Sequence, residues 1–437
     1  MQYPPLPDYG RLVQELDLLR QLKHELGADG VARVLADGER ALRGTLEALK
    51  ALPVNPALAA REPDGLAEIR ALRPPGPRRI GGGPDDPHFA DRLRGALLAR
   101  MAGCILGAPV EGWPVDRMRA WAASSGDQFP PVDYWSAVTD PDALRYGLSP
   151  RRDYTRAGMD GVPVDDDLAY TLLGLLVLEE YGPDFTVDDV ARAWLKYLPG
   201  ACTAEKVALE NLRTGVPAER AAEVENPYVE WIGADIRSDP WGYAAPGRPE
   251  LAAGMAWRDA CLSHRRSGVH GAMFFSAAIA AAFAMDDPLE AVRIGLTEIP
   301  ADCRLAEAVR WALREAPGVG DYRAAREAVD RRFAGMSSVH TINNACLTVF
   351  GLAIGGRDVT RVLGETVAMG LDNDCTAATA GSVVGAVVGA PGVPEHWHRN
   401  FKDTVHSYLI GQPVFRIGEL VQRFAAQAAR VCRDGSR

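Results

Sequence analysis

No CxxC and no closely spaced pair of cysteines occurs in this chain; its seven cysteines are an odd number scattered over 437 residues. That excludes a zinc ribbon and argues against a disulfide framework, and it suits reduced thiols in a cytosol. Basic character is scarce as well. With a net charge of -10 and no long arginine cluster, Arg265-Arg266 being only a local pair, the chain lacks the surface a general nucleic-acid binder needs to neutralise phosphates. The Ala- and Gly-rich apolar runs at 272–285 and 377–390 fall short of the roughly 20 residues of a membrane span and read as core helices. Met1 to Pro5 carries neither a basic nor an apolar leader region, so cytoplasmic residence without membrane attachment is the expectation.

Alternating, strand-like runs are also few. What is there is 47% hydrophobic and 24% charged, an ordinary globular balance. Helical spacing runs through Leu12, Leu16, Leu19 and Leu22, then through Val34, Leu42, Leu46 and Leu49, which predicts a helical hairpin. Residues 73–87 hold too much Pro and Gly for regular structure and read as a linker. The division expected is an N-terminal helical extension and linker over 1–88 and a main domain over 89–437. Beyond His88, Ala- and Leu-rich segments alternate with Gly, Pro and Asp, so the fold class expected is all-α. Gly381, Gly385 and Gly389 recur every four residues, and the preferred reading is a groove that lets another backbone approach.

Two acidic clusters stand before apolar helical runs: Asp165-Asp166-Asp167 ahead of Leu168–Leu178, and Asp372-Asn373-Asp374 ahead of Cys375–Ala386. Carboxylates at helix N-termini are favoured by the helix dipole, and one suffices as a cap. Three adjacent like charges repel, and a hard divalent cation would relieve them, so capping and metal binding stand level for the first cluster. An EF-hand is ruled out for the second, because Ala377 and Val383 occupy the positions that need Gly and Glu. A DxDxT phosphatase is disfavoured too, since no βαβ pattern surrounds it. Glu111 follows an apolar helix stopped by Gly107 and Pro109, where a confined carboxylate suits proton transfer. Gly233-Ala234-Asp235-Ile236-Arg237, and His264 to Gly271 ahead of the helix at Ala272, offer loop N–H groups and Arg side chains that suit a phosphate. Loop histidines satisfied within the loop are the competing explanation of His264 and His270.

Three of these segments, in this order, resemble the ADP-ribosylglycohydrolase family, which includes the glycohydrolase that reactivates dinitrogenase reductase and the J1 crystallins. Gly95 to Glu111 is similar to its opening helix, Val164 to Asp167 to its T-D-D-T helix start, and Gly370 to Gly381 to its late G-G-D-T-D-T motif. The resemblance covers roughly residues 90–410. It implies an all-α domain with two Mg²⁺ or Mn²⁺ ions on Asp165, Asp166, Asp372, Asp374 and Cys375. Glu111, Asp166 and Asp374 would carry the proton transfers, and Gly233, Asp235, Arg237, His264, Gly268, His270 and Gly271 would contact an ADP-ribose-containing or ribosylated substrate. Departures from the pattern are Val164, Cys375 and Cys104, where Thr, Thr or Ser, and Asp are expected. A thiol suits hard Mg²⁺ poorly, so only one of the two ions is expected to be well held. The leading function implied is hydrolysis of an ADP-ribosyl bond; an N-ribosyl hydrolase of a nucleoside-like metabolite and a non-catalytic ADP-ribose binder stay open.

Overall fold

The computed structural model describes residues 3–434; Met1, Gln2 and residues 435–437, which include the ends of the two expected domains, lie outside the described residues. The fold is all-α. Among the described residues, strands are confined to two antiparallel ribbons, Leu144–Arg145 with Ser149–Pro150 and Thr404–His406 with Val414–Arg416.

The chain forms two compact units that divide between Ala60 and Arg61. The first holds the hairpin legible in the leucine spacing, helices Tyr9–Glu25 and Val31–Lys50. Asp8 caps the former by accepting from Arg11 N at 2.9 Å. No side chain of either helix is buried, and the leucines of the stripe are all exposed.

Residues 61–88 group with the second compact unit rather than with the hairpin. Residues 73–87 do lack regular structure, yet they are bound down rather than strung out. Arg73 and Arg78 both reach the fully buried Glu298, at 2.6 and 2.8 Å, and Ile80 N donates to Gly247 O at 2.9 Å. Ahead of them, helix Leu66–Leu72 buries Ile69 completely. Composition reveals that a segment cannot form a helix, but not that its arginines have buried partners elsewhere.

The core of the second unit consists of helices that are apolar on nearly every face: Phe89–Gly107, Asp166–Tyr181, Ser267–Ala282, Thr341–Gly355 and Asn373–Val388. A helix without a polar face is stable only when surrounded. Phe89–Val110 is long and apolar enough to cross a membrane by composition, and its most apolar 18 residues are 94% buried inside the fold. Around this centre lie amphipathic helices such as Ile417–Asp434, which turns Ile417, Leu420, Phe424, Ala428 and Val431 inward at helical spacing.

The contact that places the functional residues is between the Phe89 and Asn373 helices. A Cβ on Gly103 would lie 2.2 Å from Ala377 O, and one on Gly381 would lie 2.3 Å from Ala99 O. One on Gly385 would lie 2.3 Å from Gly95 O, so the two backbones touch along their length. Gly389 does not share this role: its φ of 71° ends the helix. At the far end Gly107 sits against Asp374, where a Cβ would come within 2.4 Å of Cα. This glycine seam therefore brings the end of one helix, with Glu111 just beyond it, to the start of the other, with Asp372 and Asp374.

Candidate active site

Each acidic cluster begins a helix for a local reason. The segment before Asp166 is extended, and Asp165 caps the helix by accepting from Asp167 N at 3.2 Å. Before Asn373 the chain turns sharply through Gly370 (φ 71°) and Leu371 (φ 62°). Asp372 takes the N-cap position without using its carboxylate as a cap, leaving that group free to face the cavity. Its N–H donates to Asn344 Oδ1 at 3.2 Å, and Gly112 N donates to Leu371 O at 3.0 Å, which ties the Glu111 turn to the Asp372 turn.

A cation that sequence reasoning missed stands between the clusters. Arg145, on the first ribbon, places Nη1 2.9 Å from Ala108 O and 3.2 Å from Glu111 Oε2. Its Nη2 lies 3.0 Å from Asp165 Oδ2 and 3.5 Å from Asp374 Oδ2. Burial works against its charge, but Asp165, Tyr146, Asp374 and Glu111 outweigh burial and hold the guanidinium more firmly protonated than usual. Tyr146 donates to Asp166 Oδ1 at 2.6 Å. The ribbon is anchored to the strand-like approach of the Asp166 helix: Val164 N donates to Ser149 Oγ at 3.1 Å, and the Tyr154 hydroxyl donates to Val164 O.

These groups surround a cavity of about 340 Å³ lined by Glu111, Arg145, Asp166, Gly233, Asp372 and Asp374, with Cys375 and the walls Trp231 and Ile232. A second cavity of about 360 Å³ shares Tyr146, Asp166 and Cys202 with it and adds Tyr408, which lies 5.4 Å from Tyr146 between ring centroids. Burial raises the pKa of Asp166 and of Asp374 well above the usual carboxylate range, with Asp165 the next cause for the former and Glu111 for the latter. Asp372 is raised as well, chiefly by burial. Glu111 sits at the rim with its side chain 45% exposed. Crowding by the cleft walls, with the charge of Asp372 next, raises its pKa against the pull of Arg145.

A family model for ADP-ribosylglycohydrolase matches residues 85–433. The chain belongs to the ADP-ribosylglycohydrolase family. It is thereby a glycosidase of the hydrolase class. Among solved structures, an "ADP-ribosylglycohydrolase-related protein complex" is similar over 79% of this chain and 99% of that chain, with 20% identity and a TM-score of 0.52. At that identity the likeness speaks for the fold. No curated protein matched.

ADP-ribosylglycohydrolases depend on metal, and this chain has two clusters able to hold an ion: Cys104 with Asp165 and Asp167, and Asp372 with Asp374 and Cys375. In each, the ligand atoms lie within 4.8 Å of one another. The second fits a cation best. Oδ1 of Asp372 and Oδ1 of Asp374 are buried without a hydrogen-bond partner, as is Thr376 Oγ1 next to them. Buried carboxylate oxygens left bare are costly unless something positive meets them. Cys375 turns its thiol toward Asp167 Oδ2, 3.4 Å away, and burial pushes that thiol's pKa well up. Cys104, likewise raised by burial, faces the first cluster.

The second group of residues singled out in the sequence lies elsewhere. Arg237 is fully buried, 2.7 Å from both Glu205 Oε1 and Asp259 Oδ2, and its guanidinium has no face toward the cavity. His264 and His270 are 0% exposed and outside the cavity lining. His264 pairs with Ser263 Oγ at 2.8 Å and His270 with Pro63 O at 2.8 Å. Gly268 packs against Val229 O, and Gly271 against Asp235, whose two carboxylate oxygens are buried without a partner. Of that group only Gly233 lines the cavity. The reason is the segment read as the tail of the extension: Arg266 N donates to Asp64 Oδ1 at 2.5 Å and Arg304 N to Glu62 Oε1 at 2.6 Å, so the chain itself satisfies the loop.

Proposed function

We propose that this cleft hydrolyses the C1″ bond of a ribosyl group in an ADP-ribosylated protein, nucleic acid or small molecule, with metal dependence. The observation that carries it is the convergence of Glu111, Asp166, Asp372 and Asp374, from three separate turns of chain, on one cavity. Cleavage at C1″ passes through an oxocarbenium-like state, so the site must stabilise positive charge on the sugar, position a water and move protons. A surplus of carboxylates meets the first need. Glu111, at the rim and raised in pKa, holds a proton more readily than a free carboxyl and is placed to deliver it to the leaving group. Asp166, steadied by the Tyr146 hydroxyl, and Asp374 receive protons from the attacking water side.

Asp372 and Asp374 would hold a divalent ion, with Cys375 and Thr376 at hand. When bound, Mg²⁺ or Mn²⁺ supplies a polarised, more acidic water and a template for the ribose diol. Tyr146 and Tyr408 give the adjoining cavity aromatic walls suited to the flatter part of a substrate. The substrate groups expected at Arg237, His264 and His270 are instead met by main chain and by walls such as Trp231 and Ile232, because those three side chains are engaged in the scaffold.

The test is release of ADP-ribose from ADP-ribosylated protein by the full chain with Mg²⁺, beside Glu111→Gln and Asp374→Asn. Release that both variants lose, while their folds persist, supports the proposal. Undiminished release by the double variant overturns it.

A further inference from the structure

The carboxylates of the centre divide by how their charge is met. On one side Asp165 Oδ2 lies 3.0 Å from Arg145 Nη2, and Asp167 Oδ1 lies 3.7 Å from Arg100 Nη2. Arg100 is itself fully buried: Nη2 also donates to Asp167 O and to Ile236 O, both at 2.8 Å, and Nη1 lies 2.7 Å from Asp239 Oδ2. Asp165 and Asp239 are thus closely paired, and Asp167, whose Oδ1 is buried without a hydrogen bond, still has the Arg100 guanidinium facing it. On the other side Asp374 meets Arg145 only at 3.5 Å, Asp372 makes no ion pair among the described residues, and Oδ1 of each is buried and bare.

Resting on the metal-dependent reading above, we infer that Arg145 is a built-in cation of this centre. It fills the charge demand of the Asp165 side, so that the chain takes a single divalent ion, on Asp372 and Asp374.

The physical case is charge matching. A divalent ion among Cys104, Asp165 and Asp167 would lie beside the buried guanidinium of Arg100 and the half-buried one of Arg145, and repulsion between close cations in a poorly hydrated interior is strong. Nor is Arg145 a loose side chain that an ion displaces readily. It bonds to Ala108 O, Glu111, Asp165 and Asp374 at once, its Cζ lies 5.5 and 5.6 Å from the Tyr146 and Tyr154 ring centroids, and the ribbon behind it is pinned to Val164. Unlike a metal, it does not leave on dilution or chelation. Its contact with Glu111 gives it a positioning task too, holding that carboxylate over the cavity.

The deciding experiment titrates the metal-free full chain with Mn²⁺ and reads ion count by native mass spectrometry and spin coupling by electron paramagnetic resonance. One ion per chain with an isolated-ion spectrum is expected for the wild type and for Arg145→Lys. Loss of that ion is expected for Asp372→Asn. Arg145→Gln removes the resident charge and is expected to take a second, spin-coupled ion. Two ions in the wild type overturn the inference while leaving metal dependence intact; no ion in the wild type overturns both. An Arg145→Gln protein that still takes one ion also overturns it. If that variant fails to fold, the wild-type and Arg145→Lys counts decide alone.

Discussion

Two buried acidic regions lie close together in this protein and differ in one respect. Around Arg237 the charges are matched: Glu205 and Asp259 each lie 2.7 Å from one guanidinium, and Ser263 Oγ takes a further bond at 3.0 Å. Around Asp372 and Asp374 they are not, and bare carboxylate oxygens face a cavity. A matched buried cluster holds its own chain in place; an unmatched one that opens on a cavity is arranged for something that comes from outside. Both held candidates in the sequence, and what separates them is unpaired charge that also opens on the cavity, since Asp235 is bare yet lies outside the lining.

The largest expected effect is on activity. Asp374→Asn and Glu111→Gln each lower turnover by about 10²-fold or more, as loss of a proton-transfer group does, with the circular dichroism spectrum unchanged. Next comes Arg237→Met, which strands Glu205 and Asp259 and destabilises the fold by about 3–5 kcal/mol in urea melts. An equal loss of stability from Asp372→Asn in metal-free protein would break the comparison; the expected outcome there is a much smaller loss, because that carboxylate has no ion-pair partner among the described residues and its Oδ1 is bare.

A third effect concerns pH. Burial holds His270 neutral, with its pKa lowered to about 4. The unfolded chain therefore takes up a proton near pH 6.5 that the folded chain refuses until about pH 4. Stability falls as pH drops through that window, by up to about 3 kcal/mol, and is regained on returning to neutral pH. Denaturation midpoints across the window check this, and His270→Gln flattens the profile. The smallest effect is Gly107→Ala: its methyl would press on the backbone of Asp374 and cost about 1–3 kcal/mol, with a loss of activity that a merely destabilised scaffold does not show at low temperature.

Much of this architecture is legible in the residues. Helices without a polar face announce a core, and the two Asp clusters stand where apolar runs begin, so their place at helix N-termini follows from short-range rules. Gly381 and Gly385 give away the close helix pair. Arg145 was not legible, because it sits on a ribbon of two-residue strands with no periodic signal, 20 residues from Asp165 and 229 from Asp374. Arg100 was hidden inside an apolar helix for a similar reason: its partners come from three other segments. That His270 would be held by Pro63 was not legible either, because the Pro- and Gly-rich stretch that follows made residues 62–64 look like part of an extension, and His264 is held by its own neighbour Ser263. Sequence spacing carries information over one or two helical turns. Charge pairing across the fold carries the rest.

The most direct test of the central claim, that the unmatched carboxylates form a metal-dependent ADP-ribosyl site, is a calorimetric titration of the full chain with ADP-ribose in Mg²⁺ and again in EDTA. The account predicts binding in Mg²⁺ that EDTA abolishes and that Asp372→Asn removes while Arg237 and its partners stay intact. No heat in either condition from well-folded protein would contradict it and would bring a nucleoside-type substrate forward in its place.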